Sequence, residues 1–147
     1  MSVSPDAFLA MGRDVLARQP FSVLLGAQLN ELAPGHCELQ VTVAEHLKQH
    51  NGFVHGGVVS YLADNALTYA GGTALRVPVL TGEFKINYVR PAVGDRLVAR
   101  AHAVHVGRSQ AVCRCDVFAV GDAGEKLCAM AQGTIVVLPD ASKASNP

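Results

Sequence analysis

The chain has 147 residues, half of them apolar and only 16% charged, with twelve basic side chains balanced by twelve acidic ones. That length suits one domain burying about 68–70% of its unfolded surface, and zero net charge excludes the basic footprint that nucleic-acid binding demands. So little charge also leaves apolar surface for a second subunit to cover.

In chain order, Ser4-Pro5 reads as a helix start, with serine as cap and proline in the first turn. Phe8, Met11 and Val15 follow at helical spacing, which predicts a short amphipathic helix ending before Pro20. Residues 1–20 form that helical segment, 21–139 the main domain, and 140–147 a small polar tail expected to fray. Cys37, Leu39, Val41 and Val43 alternate with His36, Glu38, Gln40 and Thr42, a strand with one wet face. After Asn51-Gly52 the rhythm changes. From Gly57 to about Gly71, Val59, Leu62, Ala66 and Ala70 recur at helical spacing, and Val58, Ala63 and Leu67 fill the flanks. A helix apolar nearly all round is predicted to be buried. Four strand segments follow, Phe84–Tyr88, Arg96–Val106, Gln110–Val120 and Lys126–Leu138, and the short turns between them imply antiparallel pairing. The expected fold is α+β, an antiparallel sheet curled round one buried helix.

The start Met-Ser-Val-Ser-Pro-Asp lacks the pattern of a secretory signal, and no apolar run is long enough to span a membrane. A cytoplasmic location without membrane attachment is therefore expected. Cys37, Cys113, Cys115 and Cys128 contain no Cys-x-x-Cys pair and are read as reduced core residues. His46, His50 and His55 flank a strand end and a turn, so no metal site is expected from them. His102 and His105, three apart on one strand, are expected to face opposite sides.

Chemistry concentrates between Gln49 and Asp64, where His55-Gly56-Gly57 opens the buried helix. The first amides of a helix lack intrahelical acceptors and sit at the positive end of its dipole. Bare glycines there either admit a ligand oxygen, as an oxyanion hole requires, or let the turn pack closely on a strand. Asp64 lies two turns into an apolar helix, with Ser60 and Thr68 one turn either side. A carboxylate in such a place is retained when it is bonded to a neighbour or employed as nucleophile or general base. At about 1.5 Å per residue, Asp64 is about 12 Å along the axis from Gly56, too far for one reacting centre. If both act on one substrate, Asp64 comes from a second subunit.

The run from Gln49 to Asp64 resembles the signature of hotdog-fold acyl-CoA thioesterases, in the group of the phenylacetate-pathway and hydroxybenzoyl-CoA thioesterases. The resemblance covers about residues 20–138, including the Phe84–Pro91 segment and the Gly107-Arg108-Ser109 turn. It implies a five- or six-stranded antiparallel sheet wrapped round the long helix, and paired subunits, often two dimers in a tetramer. By position it implies that the Gly56 amide polarises the thioester carbonyl beside His55. It further implies that Gln49 contacts the thioester or the attacking water, that Asp64 is the catalytic acid, and that Thr68 and Thr81 hold the water or the carboxylate. Gly57, Asn51, Tyr61 and Phe84 are expected at the substrate, and Arg90, Arg108 and Ser109 near the coenzyme A arm.

The implied reaction is hydrolysis of a medium-chain or aromatic acyl-CoA, with no cofactor beyond the coenzyme A of the substrate. Asp64 either attacks the carbonyl, leaving a mixed anhydride, or activates water. The competing readings are a dehydratase on the same fold, which resembles a different placement of a catalytic histidine, and a non-catalytic acyl-CoA-binding module.

Overall fold

The computed structural model describes residues 2–139; the frayed-tail expectation for 140–147 lies outside them. Helix α1 spans Pro5–Ala17, and the Ser4 hydroxyl accepts from the Ala7 amide at 3.2 Å. Pro20 ends that helix as expected, but it also opens a second one, α2 (Pro20–Leu25), closed by Gly26 at φ +70°. A proline that cannot continue one helix is preorganised for the first turn of the next.

Strands β1 (Ala27–Ala33) and β2 (His36–Thr42) form a hairpin across Pro34-Gly35, and Gly35 takes φ +76°. No strand was expected at β1. Its inward residues Leu29 and Leu32 are three apart because the register slips between Leu29 and Glu31, and such a bulge hides the two-residue period. After a short 3-10 turn at Glu45–Leu47 come α3 (Gly56–Leu75), β3 (Val79–Tyr88), β4 (Arg96–Val106), β5 (Gln110–Gly121) and β6 (Gly124–Val137). Helix α3 runs one turn beyond the expected stop at Gly71. The six strands pair antiparallel in the order β1-β2-β4-β5-β6-β3.

The sheet wraps α3, whose Leu62, Ala63, Ala66, Leu67 and Ala70 are fully buried. Facing them, one inner row of the sheet reads Cys37, Ala101, Cys115, Ala131. Those small side chains let the helix sit close. Gly71 and Gly133 carry the approach further: a Cβ on Gly71 would lie 2.6 Å from Ile135 Cβ, and one on Gly133 would lie 2.7 Å from Phe84 Cβ. The Gly71-Gly72 pair thus marks close packing and not a helix end.

All four cysteines are unpaired and buried. Burial pushes the Cys113 thiol up to about 11 and raises those of Cys37, Cys115 and Cys128 as well. On the outer face, His102 pairs with Arg114 and His105 with Val112, because the register slips between Ala103 and His105. That bulge turns both histidines to the same side, correcting the expectation that they diverge.

The outer face also carries a charged staple. Arg100 Nε donates to Glu38 at 2.8 Å, its terminal nitrogens reach Glu125 at 2.8 and 2.6 Å, and its guanidinium lies 5.0 Å over the Phe118 ring. One side chain so connects β2, β4, β5 and β6. Burial opposes ionisation of Glu38, but Arg100 and Asn30 outweigh it and hold that carboxyl below its ordinary value; Arg100 does the same for Glu125.

Two outcomes are expected. Gly71→Ala should cost about 1–3 kcal/mol through overpacking, read as a fall in the thermal midpoint of about 2–4 °C per kcal/mol. Carboxyls held low in the fold contribute stability above their unfolded pKa of about 4.3 and lose it as pH falls. Arg100→Met should therefore flatten the acid limb of a denaturation midpoint measured against pH, leaving less to lose below about pH 5.

Candidate active site

The loop before α3 is closed by its own backbone. Lys48 bridges Val54, the Gln49 amide donates to Phe53 at 2.8 Å, the His55 amide donates to Leu47 at 2.8 Å, and Gly52 takes φ +85° at the tip. This delivers His55 to the N-cap of α3, where Nδ1 accepts from the Gly57 amide at 2.8 Å. The Val58 and Val59 amides turn to the His55 carbonyl at 2.9 and 3.4 Å. Gly57 N–H is therefore spent on the cap. Among the described residues, none accepts from the Gly56 amide. The glycine-rich turn thus presents one open N–H at the positive end of a 20-residue helix. Accepting at Nδ1 also fixes the neutral His55 ring with its proton on Nε2. Tyr88, at the end of β3, donates from its hydroxyl to the Gly56 carbonyl at 3.1 Å and braces the turn.

Two turns along, half-buried Asp64 is held by Thr81 of β3, whose hydroxyl donates to Oδ1 at 2.7 Å. The Thr68 hydroxyl lies 2.9 Å from the Asp64 carbonyl oxygen and 3.0 Å from Thr81 Oγ. One carboxylate oxygen is anchored, and Oδ2 accepts from no side chain among the described residues. The structure thus brings Asp64, Thr68 and Thr81 together as one cluster, and His55, Gly56 and Tyr88 as another. The two clusters meet α3 at Asp64 and Gly56, eight residues and about 12 Å apart.

The remaining expected residues divide. Gln49 Oε1 accepts from the Asn51 amide at 2.5 Å, so both stand in the loop beside His55. Phe84 packs into the core against Gly133 and lines neither the cavity at Asp64 nor the one between α1 and α3. Arg90 donates to the Leu127 carbonyl at 3.1 Å near the end of β3. Arg108 and Ser109 occupy the exposed β4–β5 turn, where the Ser109 carbonyl accepts from Val137 at 3.0 Å. Val137 pairs with Val79 at the start of β3, so Arg90 and Arg108 lie at opposite ends of one chain.

Tyr61 belongs to a polar cluster whose other members the sequence did not disclose. Its hydroxyl donates to buried Ser22 at 2.5 Å, Ser22 donates to Gln19 Oε1 at 2.6 Å, and Asn65 Nδ2 donates to Gln19 Oε1 at 3.0 Å and Tyr61 at 3.1 Å. The available signal was Asn65 itself, a second polar residue beside Asp64 and four after Tyr61 in an apolar helix. A cavity of about 450 Å³ lies over this cluster, lined by Arg18, Phe21, Tyr61, Asp64 and Asn65. A second, about 480 Å³, runs between α1 and α3 past Phe8, Met11, Val15 and Val79.

Residues 51–126 match the family model of the thioesterase superfamily. A solved thioesterase family protein from Silicibacter pomeroyi is 38% identical, covering 84% of this chain and 93% of its own, with a TM-score of 0.80. A mutant of the phenylacetic acid degradation protein PaaI from Thermus thermophilus is 34% identical over 82% of this chain and 100% of its own, with a TM-score of 0.72. A 1,4-dihydroxy-2-naphthoyl-CoA hydrolase from Listeria monocytogenes is 27% identical over 77% of this chain and 91% of its own. With the hotdog arrangement of sheet and helix, these matches place the chain in the thioesterase superfamily, as a thioester hydrolase.

Proposed function

We propose that the protein hydrolyses acyl-coenzyme A esters with a medium aliphatic or aromatic acyl group, at two equivalent sites of a homodimer. Each site takes the open Gly56 amide from one copy and the Asp64 carboxylate from the other. The observation that carries this is the way β3 holds both groups. Thr81 near its start bonds Asp64 and Tyr88 at its end bonds Gly56, while among the described residues β3 is paired on one side, to β6. A second β3 laid antiparallel on that edge, its two-fold axis at Lys85, sets Thr81 of each copy opposite Tyr88 of the other once the bulge between Thr81 and Glu83 takes up one residue. Asp64 then meets the partner's Gly56, and one strand pairing completes both sites. The same pairing moves the Arg90 end of one copy toward the Arg108 turn of the other, supplying positive charge for the phosphates of coenzyme A.

The chemistry follows from the groups. The thioester oxygen docks on the Gly56 amide, with His55 Nε2–H alongside, and both stabilise the charge that develops there. Asp64, anchored through Oδ1, turns Oδ2 to the carbonyl carbon. Two routes are open to a carboxylate so placed. Attack expels the coenzyme A thiolate and leaves an acyl-aspartyl anhydride for water to cleave; alternatively Asp64 takes a proton from a water held by Gln49 or Thr68. The Listeria relative is named for an aromatic CoA ester, which suits this substrate class.

Asp64→Asn should lower kcat on an acyl-CoA panel by about a hundredfold or more, with the oligomeric state in analytical ultracentrifugation unchanged. Near-normal turnover would remove Asp64 from the mechanism. Gly56→Pro deletes the amide proton where a helix accepts proline and should cost about 10²–10³ in kcat with helical content intact. Mixed and refolded together, the two inactive variants should recover about a quarter of wild-type activity, since half the dimers are hybrid and each hybrid holds one intact site. A site built within one chain would show no recovery.

A further inference from the structure

Three hydrogen-bonding groups beside the open Gly56 amide form one unbroken series. The Tyr88 hydroxyl lies 3.1 Å from the Gly56 carbonyl oxygen, and the Gly57 amide nitrogen lies 2.8 Å from His55 Nδ1. Gly56 C=O and Gly57 N–H belong to a single peptide unit. Both directions are forced by the chemistry of the groups. A carbonyl oxygen accepts only, so Tyr88 donates; a backbone N–H donates only, so Nδ1 accepts and the neutral ring carries its proton on Nε2. The series therefore runs from hydroxyl through peptide and imidazole to the Nε2–H beside the Gly56 amide.

Peptide and imidazole are both conjugated, and polarisation at one end reaches the other. A proton shared with the Gly56 oxygen draws electrons along the peptide and leaves the Gly57 N–H a better donor. That donor in turn draws on Nδ1 and, through the ring, strengthens Nε2–H. The outer end of the series is firmly mounted. Tyr88 pairs with Ala129 of β6, and the Val89 and Arg90 amides donate to the Cys128 carbonyl at 2.9 and 3.3 Å. A Cβ on Gly56 would lie 3.5 and 3.6 Å from Tyr88 ring atoms, so the ring rests against the turn itself. Yet Tyr88 is 55% exposed, and burial explains little of its placement.

We infer that Tyr88 is a positioning residue of the oxyanion site. It acts on the reaction through the Gly56–Gly57 peptide and the His55 ring, holding that ring in one tautomer and strengthening its Nε2–H. This rests on the hydrolysis proposed above and adds to it a residue that works from two hydrogen bonds away. Charge on the thioester oxygen grows only toward the transition state, so the gain falls on kcat and not on KM. Removing a whole oxyanion donor costs about 10²–10³, and weakening one should cost about tenfold.

Tyr88→Phe keeps the ring and deletes the hydroxyl. With benzoyl- and octanoyl-CoA its kcat should fall about tenfold while KM stays within about twofold. His55→Asn keeps a side-chain acceptor at the N-cap but has no Nε2–H. In that background Tyr88→Phe should change kcat by less than about twofold. Nitrogen NMR of histidine-labelled protein, with the His55 signal assigned by its loss in His55→Asn, should show the Nε2–H tautomer alone in wild type and a mixture in Tyr88→Phe. Unchanged kcat in Tyr88→Phe, an equal fall with and without His55, or an unaltered His55 tautomer overturns this inference and leaves the hydrolysis standing. A wild type that turns over no member of an acyl-CoA panel overturns both.

Discussion

One helix here has to satisfy two incompatible demands. To fill a sheet curled round it, α3 must be apolar on nearly every side, yet it carries a carboxylate at Asp64. The Thr81–Asp64 hydrogen bond reconciles them. It gives the carboxylate a neutral donor from the edge strand, so the charge is anchored without a buried cation beside it. It also ties the position of that carboxylate to the strand, and so to whatever lies on its open side. The close approach at Gly71 and Gly133 matters for the same reason: with the helix further from the sheet, Thr81 would not reach.

The sequence was legible where one period runs unbroken. The bounds of β4 were read correctly, because its inward alternation holds from Leu97 through Ala103, and the bulge near its end disturbed only the facing of His105. Where a strand breaks step early, as β1 does between its two leucines, the pattern dissolves and the element disappears from view. The same physics hid α2, since Pro20 was read for what it stops and not for what it starts. Gly71 misled in the opposite direction: a residue that ends helices when exposed permits packing when buried.

The candidate site divides along similar lines. Gly56 and Asp64 stand out from spacing and chemistry alone, and even the distance between them is a matter of counting residues. Thr81 came only through family resemblance, because no local pattern says which strand will pass beside a given turn of a helix. Gln19 and Ser22 depend on an unforeseen helix. Gly57 shows a subtler limit. Two adjacent glycines offer two amides in the sequence, and only the side chain of His55, folded back as a cap, decides which one remains open.

The buried cysteines acquire a meaning once the substrate class is in view. Thioesters exchange acyl groups with thiolates, and they do so with whichever thiolate they meet first. An enzyme of this kind releases a thiol at every turnover and works among reactive acyl donors. With its four thiols sealed in the core and pushed toward the protonated form, the protein offers those donors no thiolate. Its core chemistry makes it a bystander to the exchange reactions that surround it.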